Sequence, residues 1–278
     1  MCIRSSTLRI HVVKSENCVH FNSPYWILSA SIIVVASIVF WCGALWLTRQ
    51  KISIDALKKN HDVAGFTFSI VGILYSVILG FTVVSVQERY NRSIETIHTE
   101  ATVLADLYRE AGFFPESSRN QVRSTLRNYV SYVVSEEWHL PKDKKMHLGA
   151  QTILKELWDS YFQVILENDN QKAWYQESIG KLDDLMRARL EREFNSWDHL
   201  GSMMWSLLIS GAIITILFMF FFGLDNLRSQ LLMTALLAGY LSFILFLVFS
   251  LDHTFKGQEN TTPIVMEQLS DLFDRWDM

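Results

Sequence analysis

The sequence GFTFSIVGILYSVILGFTVVSVQERYNRSIETIHTEATVLADLYREA, residues 65–111, determines the architecture of the chain and contains no proline. Its first half, Gly65–Val86, has no charged side chain and can cross a bilayer core of about 30 Å at about 1.5 Å per residue. Its second half carries charged residues throughout and is suited to water. The stretch predicts one helix that crosses the membrane and continues unbroken into the aqueous phase.

Small and apolar residues recur along both halves of this stretch. One set occupies every seventh position: Ser69, Ser76, Val83, Tyr90, Ile97, Leu104 and Ala111. A second set flanks it at offsets of three and four residues: Gly65, Gly72, Gly80, Gln87, Ile94, Ala101 and Tyr108. This spacing places small residues in the membrane and larger apolar residues outside it on one helix face. We expect that face to contact neighbours along its length.

Four stretches are long and apolar enough to be transmembrane helices, and none contains Asp, Glu, Lys, Arg or His. They are Trp26–Leu47, Gly65–Val86, Gly201–Phe222 and Leu231–Leu251. The segment between the second and third spans has helical periodicity and no strand-like alternation of useful length. The sequence therefore predicts an all-α integral membrane protein in which two membrane hairpins flank a helical bundle.

The expected organisation follows from these spans. In order, it comprises a polar N-terminal extension (1–23), the first span (24–48), a basic link (49–64), the second span (65–86), a helical cytoplasmic domain (87–200), the third span (201–222), a turn (223–230), the fourth span (231–251) and a tail (252–278). The pattern from Lys172 to Phe194 predicts a helix that continues into the third span. In the tail, Thr262 and Pro263 predict the start of a short amphipathic helix, with Val265, Leu269, Leu272 and Trp276 on its apolar face.

The sequence lacks the residues that characterise several classes of function. Charge-relay transporters place ionisable groups at membrane depth, whereas Asp252 and His253 come no closer than the exit of the fourth span. The net charge of −4 argues against nucleic acid as a partner. The histidines and the three cysteines lack the spacing of metal ligands, and no phosphate-binding loop, dinucleotide motif or nucleophile elbow occurs. We therefore expect no catalytic residue, metal or cofactor, and no enzyme activity.

The small residues of the second span allow two interpretations. Gly65, Ser69, Gly72, Ser76, Gly80 and Val83 share this face. They could leave room for a pathway at the centre of an oligomer, or they could let helix backbones pack closely in lipid. Both interpretations hold if the partner helix belongs to a neighbouring subunit. Beyond the span, Gln87, Glu88 and Arg92 are candidates for a charged vestibule; the alternatives for the charged face are a solvated surface or a subunit contact.

A series of motifs follows a fixed order over about residues 25–278. In the first half they are Gly65-Phe66, Gly72-Ile73-Leu74-Tyr75, Leu79-Gly80-Phe81, Gln87-Glu88, Tyr90, Glu100-Ala101 and Asp106-Leu107-Tyr108. In the second half they are Arg189-Leu190, Trp205-Ser206-Leu207-Leu208, Phe222-Gly223, Asn226, Gln230-Leu231-Leu232-Met233-Thr234-Ala235-Leu236, Leu251-Asp252 and Phe255-x-Gly257. This series resembles the bestrophin-like family of bacterial membrane proteins, a domain of unknown function.

The resemblance implies two membrane hairpins around a cytoplasmic helical domain. Through the more distant bestrophins it implies an oligomeric anion channel whose second span lines the pore. The chain departs from animal bestrophins, since it has no acidic calcium clasp and no paired-phenylalanine constriction. Tyr75 or Phe81 is the expected constriction in their place. His253-Thr254 stands where the family usually has a basic residue and proline.

The leading hypothesis is therefore a homo-oligomeric, passive conductor of chloride or other small anions. The alternative is a non-conducting membrane scaffold or stress-signalling component whose cytoplasmic bundle binds a protein partner. The resemblance points to the bacterial inner (plasma) membrane. Basic residues near the span ends on the side of the termini outnumber the five on the short links, which favours a cytoplasmic position for the termini and the large domain.

Overall fold

The computed structural model describes residues 24–52, 61–139, 148–222, 224, 226–252 and 264–277. These residues form helices and no strands. The helices are α1 (Pro24–Lys51), α2 (His61–Glu110), α3 (Glu116–Ser135), α4 (Leu148–Phe162), α5 (Asp169–Trp197), α6 (Ser202–Phe218), α7 (Leu227–Asp252) and α8 (Ile264–Asp277). Short 3₁₀ turns occupy Ala111–Phe113, Glu137–His139 and Met219–Phe221. The all-α class is confirmed. The N-terminal extension, half of the basic link (53–60) and the residues Thr262 and Pro263 lie outside the described ranges.

Four helices have the length and composition of membrane spans, which confirms the predicted number. The candidate spans within these helices begin at Trp26, Val63, Ser202 and Leu227. The long helix is also confirmed, because α2 runs without a break for 50 residues, or about 75 Å. Its membrane half is mostly exposed in the single chain, whereas its distal half enters the bundle core. A 3₁₀ turn and then Pro115 end it.

The membrane helices pair through small residues and short polar contacts. α1 packs along α7, where Trp26 Nε1 donates to Ser250 Oγ at 2.8 Å and Ser242 Oγ donates to Ser37 Oγ at 2.6 Å. Gly239 lets the two helices approach closely, since a Cβ atom there would lie 3.1 Å from the side chain of Ile38. α2 packs against both α6 and α7.

The distal half of α2 forms the bundle with α3, α4, α5 and α8. Each helix contributes an apolar stripe to one core, represented by Leu104 of α2, Leu126 of α3, Leu157 of α4, Leu182 of α5 and Phe273 of α8. Each fully buried side chain of this size stabilises the fold by about 1.5–3 kcal/mol relative to its exposed state. The bundle is therefore built directly on the extension of the second membrane helix.

Two expectations are corrected by the structure. α5 does not continue into the third span, because the helix ends at Trp197 and α6 begins at Ser202. The amphipathic helix α8 is present, but its buried residues are Met266, Leu269 and Phe273, and Trp276 is partly exposed. The predicted face does meet the core, through Leu269 and the partly buried Val265 and Leu272, but the core also includes the neighbouring positions 266 and 273.

Candidate functional site

A groove runs along the small-residue side of α2 in the membrane. Its floor contains Gly72, Ser76, Gly80 and Val83, and residues of α7 form the opposite wall. The groove has a volume of about 480 Å³ and is open at the surface of the single chain. A Cβ atom at Gly72 or Gly80 would meet no other atom within 4 Å. The glycines therefore leave space that none of the described helices fills.

The hydroxyl groups on this side of α2 are bound to the helix backbone. Ser69 Oγ donates to the carbonyl oxygen of Gly65 at 2.9 Å, and Ser76 Oγ donates to that of Ile73 at 2.8 Å. Gly65 lies at the end of the same side, where the ring of Phe222 is 3.7 Å from an added Cβ. Four residues of the predicted small face therefore line an apolar groove, and the other two, Gly65 and Ser69, lie outside its lining.

Tyr75 occupies a different place from the one expected for a constriction. Its side chain is 6% exposed, and its hydroxyl donates to the carbonyl oxygen of Leu208 on α6 at 3.0 Å. The ring fills the gap left by Gly211, where a Cβ would lie 2.4 Å from it. The side chain of Tyr75 therefore joins α2 to α6 inside the subunit, and we assign it to helix packing.

Phe81 lies on a second face of α2, which sequence reasoning missed. It is 74% exposed and does not line the groove. The exposed apolar residues that share its side at three- and four-residue spacing form the outer face of α2: Phe66, Ile70, Leu74, Val77, Phe81 and Val84. The sequence could have revealed this second face. Successive helix positions differ in direction by about 100°, so Phe81 cannot lie on the same side of the helix as Gly80.

The predicted vestibule residues are divided between these two faces. Glu88 and Arg92 follow Phe81 by seven and eleven residues, so they continue the outer face, and both are exposed. Among the described residues, neither makes an ion pair. Gln87 is half-buried, and its side-chain amide donates to Asn91 Oδ1 at 3.0 Å. The outer face therefore changes from apolar to charged where α2 leaves its apolar stretch.

Asp252 holds the junction between the spans and the bundle. Its carboxylate accepts from the backbone N–H of Leu200 at 2.7 Å and from Trp205 Nε1 at 3.2 Å. A guanidinium nitrogen of Arg89 on α2 lies 4.0 Å away and another lies 3.6 Å from Asp198. These contacts fix the break between α5 and α6 against α2. His253, its neighbour in the sequence, lies outside the described residues.

A buried ionic network connects α2 to α5 and to the 3₁₀ turn that follows α3. Arg192 donates to Glu100 at 2.5 Å and to Glu137 at 2.8 Å, and Arg189 donates to Glu137 at 3.0 Å and to Glu193 at 2.6 Å. Burial alone would raise the pKa of the Glu137 carboxyl, but the two guanidiniums outweigh it and lower that pKa. Sequence reasoning missed this network, although charged residues on the apolar side of α5 were a signal.

The described residues contain no group of three or more His, Cys, Asp or Glu side chains that could hold a metal ion. The candidate site lies on α2 and consists of the apolar outer face, the groove and the charged residues that extend the outer face beyond the span. Such an arrangement can pack against other helices or border a passage, as is usual for a helical integral membrane protein.

Comparisons with known proteins identify the family to which this chain belongs. The Bestrophin-like domain matches residues 34–265, and the chain belongs to this family. No curated protein matches the sequence. Among solved structures, a bacterial bestrophin homologue from Klebsiella pneumoniae with a leucine-to-threonine mutation superposes with a TM-score of 0.68 at 14% identity, covering 88% of this chain and 98% of that one. A bestrophin homologue from the same bacterium with a tyrosine-to-alanine mutation gives 0.65 at 16% identity, covering 86% and 96%. These likenesses confirm the fold.

Proposed function

We propose that copies of this chain assemble with the outer face of α2 around a common axis, and that small anions such as chloride pass along it without energy coupling. The observation that carries the proposal is the continuity of this face. It extends from the exposed apolar residues around Phe81 to the exposed charges of Glu88 and Arg92 on one unbroken helix. The groove on the other side then receives a neighbouring helix.

Phe81 is the proposed constriction. An apolar ring narrows a pore and controls its hydration, so conduction depends on the width that the ring leaves. The edge of a phenyl ring carries partial positive charge and can face an anion without forming a tight complex. The four predicted spans contain no Asp, Glu, Lys, Arg or His, so a passive route agrees with the composition better than a proton-coupled one.

The proposal includes the orientation of the protein. The lipid bilayer surrounds the four spans, and we place the termini and the helical bundle in the cytoplasm of a bacterium, at its inner membrane. The excess of basic residues near the span ends on that side supports this orientation.

Chloride efflux from liposomes tests the proposal. Full-length protein should release chloride faster than protein-free liposomes do. Phe81→Ala should raise the rate several-fold because the ring no longer narrows the path, and Phe81→Trp should lower it. Phe243→Ala is the matched control, since Phe243 is an exposed aromatic on α7. Folded protein without efflux above background, or equal effects of the two alanine variants, would refute conduction through this face.

A non-conducting scaffold is the second proposal. The outer face has no polar side chain over its membrane length. A narrow pore lined by this face would lose its water and would therefore not conduct ions. The bundle also exposes Leu148, Phe162 and Ile165, which a protein partner could cover. A closed axis in an experimental oligomer, together with a partner cross-linked through these three residues, would favour this function over conduction.

A further inference from the structure

A cleft at the far end of the bundle carries three arginines on one side. Arg119, Arg123 and Arg127 are spaced by four residues on α3, so they share one helix face. Trp276 and Asp277 of α8 form the opposite wall, and the cleft has a volume of about 490 Å³. This volume lies within the range of small-molecule sites, which is about 300–1,000 Å³.

Two of the three arginines are already neutralised. Asp277 accepts from Arg123 Nη1 at 2.7 Å and from Arg127 Nη2 at 2.8 Å, and Arg127 also pairs with Asp274. Burial favours the neutral acid, but hydrogen bonds from Tyr108 and Arg127 outweigh it and lower the pKa of Asp277. The carboxylate therefore stays charged at neutral pH and holds α8 against α3.

Arg119 is the third arginine of the cleft, and neither Asp274 nor Asp277 pairs with it. It makes no ion pair or side-chain hydrogen bond among the described residues, although it lines the same cleft. Asn120 and Ser124 line the cleft beside it as exposed residues, so their side-chain donors face solvent and are free to bind a ligand. The wall thus combines one unpaired guanidinium, two neutral donors and the half-exposed indole of Trp276.

We propose that this cleft binds a soluble organic phosphate that carries a planar ring, as a nucleotide does. The guanidinium fork of Arg119 matches phosphate oxygens in geometry and charge, and Asn120 and Ser124 add donors. A single phosphate would leave most of the cleft empty, and the remaining space lies beside Trp276, whose ring can stack on a planar group.

The ligand comes from the aqueous phase rather than from the membrane. Gly112, which also lines the cleft, follows Val86 at the end of the second span by 26 residues of nearly continuous helix, which corresponds to about 40 Å. The headgroups of the surrounding bilayer therefore lie too far away. The site is separate from the membrane face of α2 and goes beyond the proposed conduction.

Isothermal titration of the full-length protein in detergent tests this site with ATP as the probe. ATP should bind to the wild-type protein, and Arg119→Gln should weaken binding about tenfold or more, since a charged hydrogen bond is lost. Arg187→Gln is the matched control, because Arg187 is an exposed arginine on α5 away from the cleft, and it should bind ATP as the wild-type protein does.

Two further probes separate the parts of the ligand. Tripolyphosphate should bind more weakly than ATP, and Trp276→Leu should weaken binding of ATP while leaving that of tripolyphosphate unchanged. Circular dichroism of each variant checks that the helices remain folded. The proposal is overturned if wild-type protein does not bind ATP at millimolar concentration, or if Arg119→Gln and Arg187→Gln bind it equally. Equal affinity for ATP and tripolyphosphate would overturn the planar-ring requirement.

Discussion

Replacement of Arg192 by methionine should destabilise the bundle strongly. Arg192 is 3% exposed and is the only described cation that contacts both Glu100 and Glu137. Its removal leaves three buried carboxylates, counting Glu193, with the single guanidinium of Arg189. Loss of one partner from a buried ion pair costs about 3–5 kcal/mol, because the remaining charge is desolvated without compensation. We expect a loss in that range, reduced only by protonation of one carboxyl.

Urea unfolding of the full-length protein in detergent, followed by far-ultraviolet circular dichroism, measures this loss. The matched control is Arg187→Met on the same helix, where an exposed arginine lies 3.9 Å from Asp184 and should contribute about 0–1 kcal/mol. Adding Glu100→Gln to Arg192→Met should recover part of the stability, since it removes one uncompensated charge. Equal losses in the two single variants, or no loss in Arg192→Met, would refute the network as the link between α2 and α5.

Two other predictions concern packing and pH. Gly211→Ala should cost about 1–3 kcal/mol, because its methyl group overlaps the Tyr75 ring, whereas Gly180→Ala on α5 meets no atom within 4 Å and should not destabilise the fold; thermal denaturation of both variants measures the difference. Because the pKa of Glu137 is lowered in the folded protein from 4.5, its contribution is present above about pH 4.5 and is lost as the pH falls further. Urea midpoints should therefore fall more steeply for the wild type than for Glu137→Gln as the pH is lowered from about 6 to about 3; parallel curves would contradict the ion pairing.

The sequence was sufficient for features that depend on local pattern. The absence of proline and the seven-residue repeat predict α2 as one helix, and uncharged stretches of sufficient length predict the four spans. The spacing of small residues also predicts a common side for Gly72, Ser76 and Gly80, and all three line the groove.

The features that were missed depend on contacts between distant residues. The break between α5 and α6 is fixed by Asp252, which is far along the chain from Leu200. Tyr75 is buried because Gly211 of another helix leaves room for its ring, and no local spacing reveals that pair. The position of Phe81 could have been found, since helix geometry alone separates it from the glycines.

Cross-linking of single-cysteine proteins in native membranes tests most directly whether the outer face of α2 meets itself across an axis. In a background without the three natural cysteines, Phe81→Cys should form disulfide-linked dimers on mild oxidation, while Phe243→Cys on α7 should stay monomeric. The opposite pattern, with Phe243→Cys cross-linked and Phe81→Cys monomeric, would place the outer face in lipid and contradict the account.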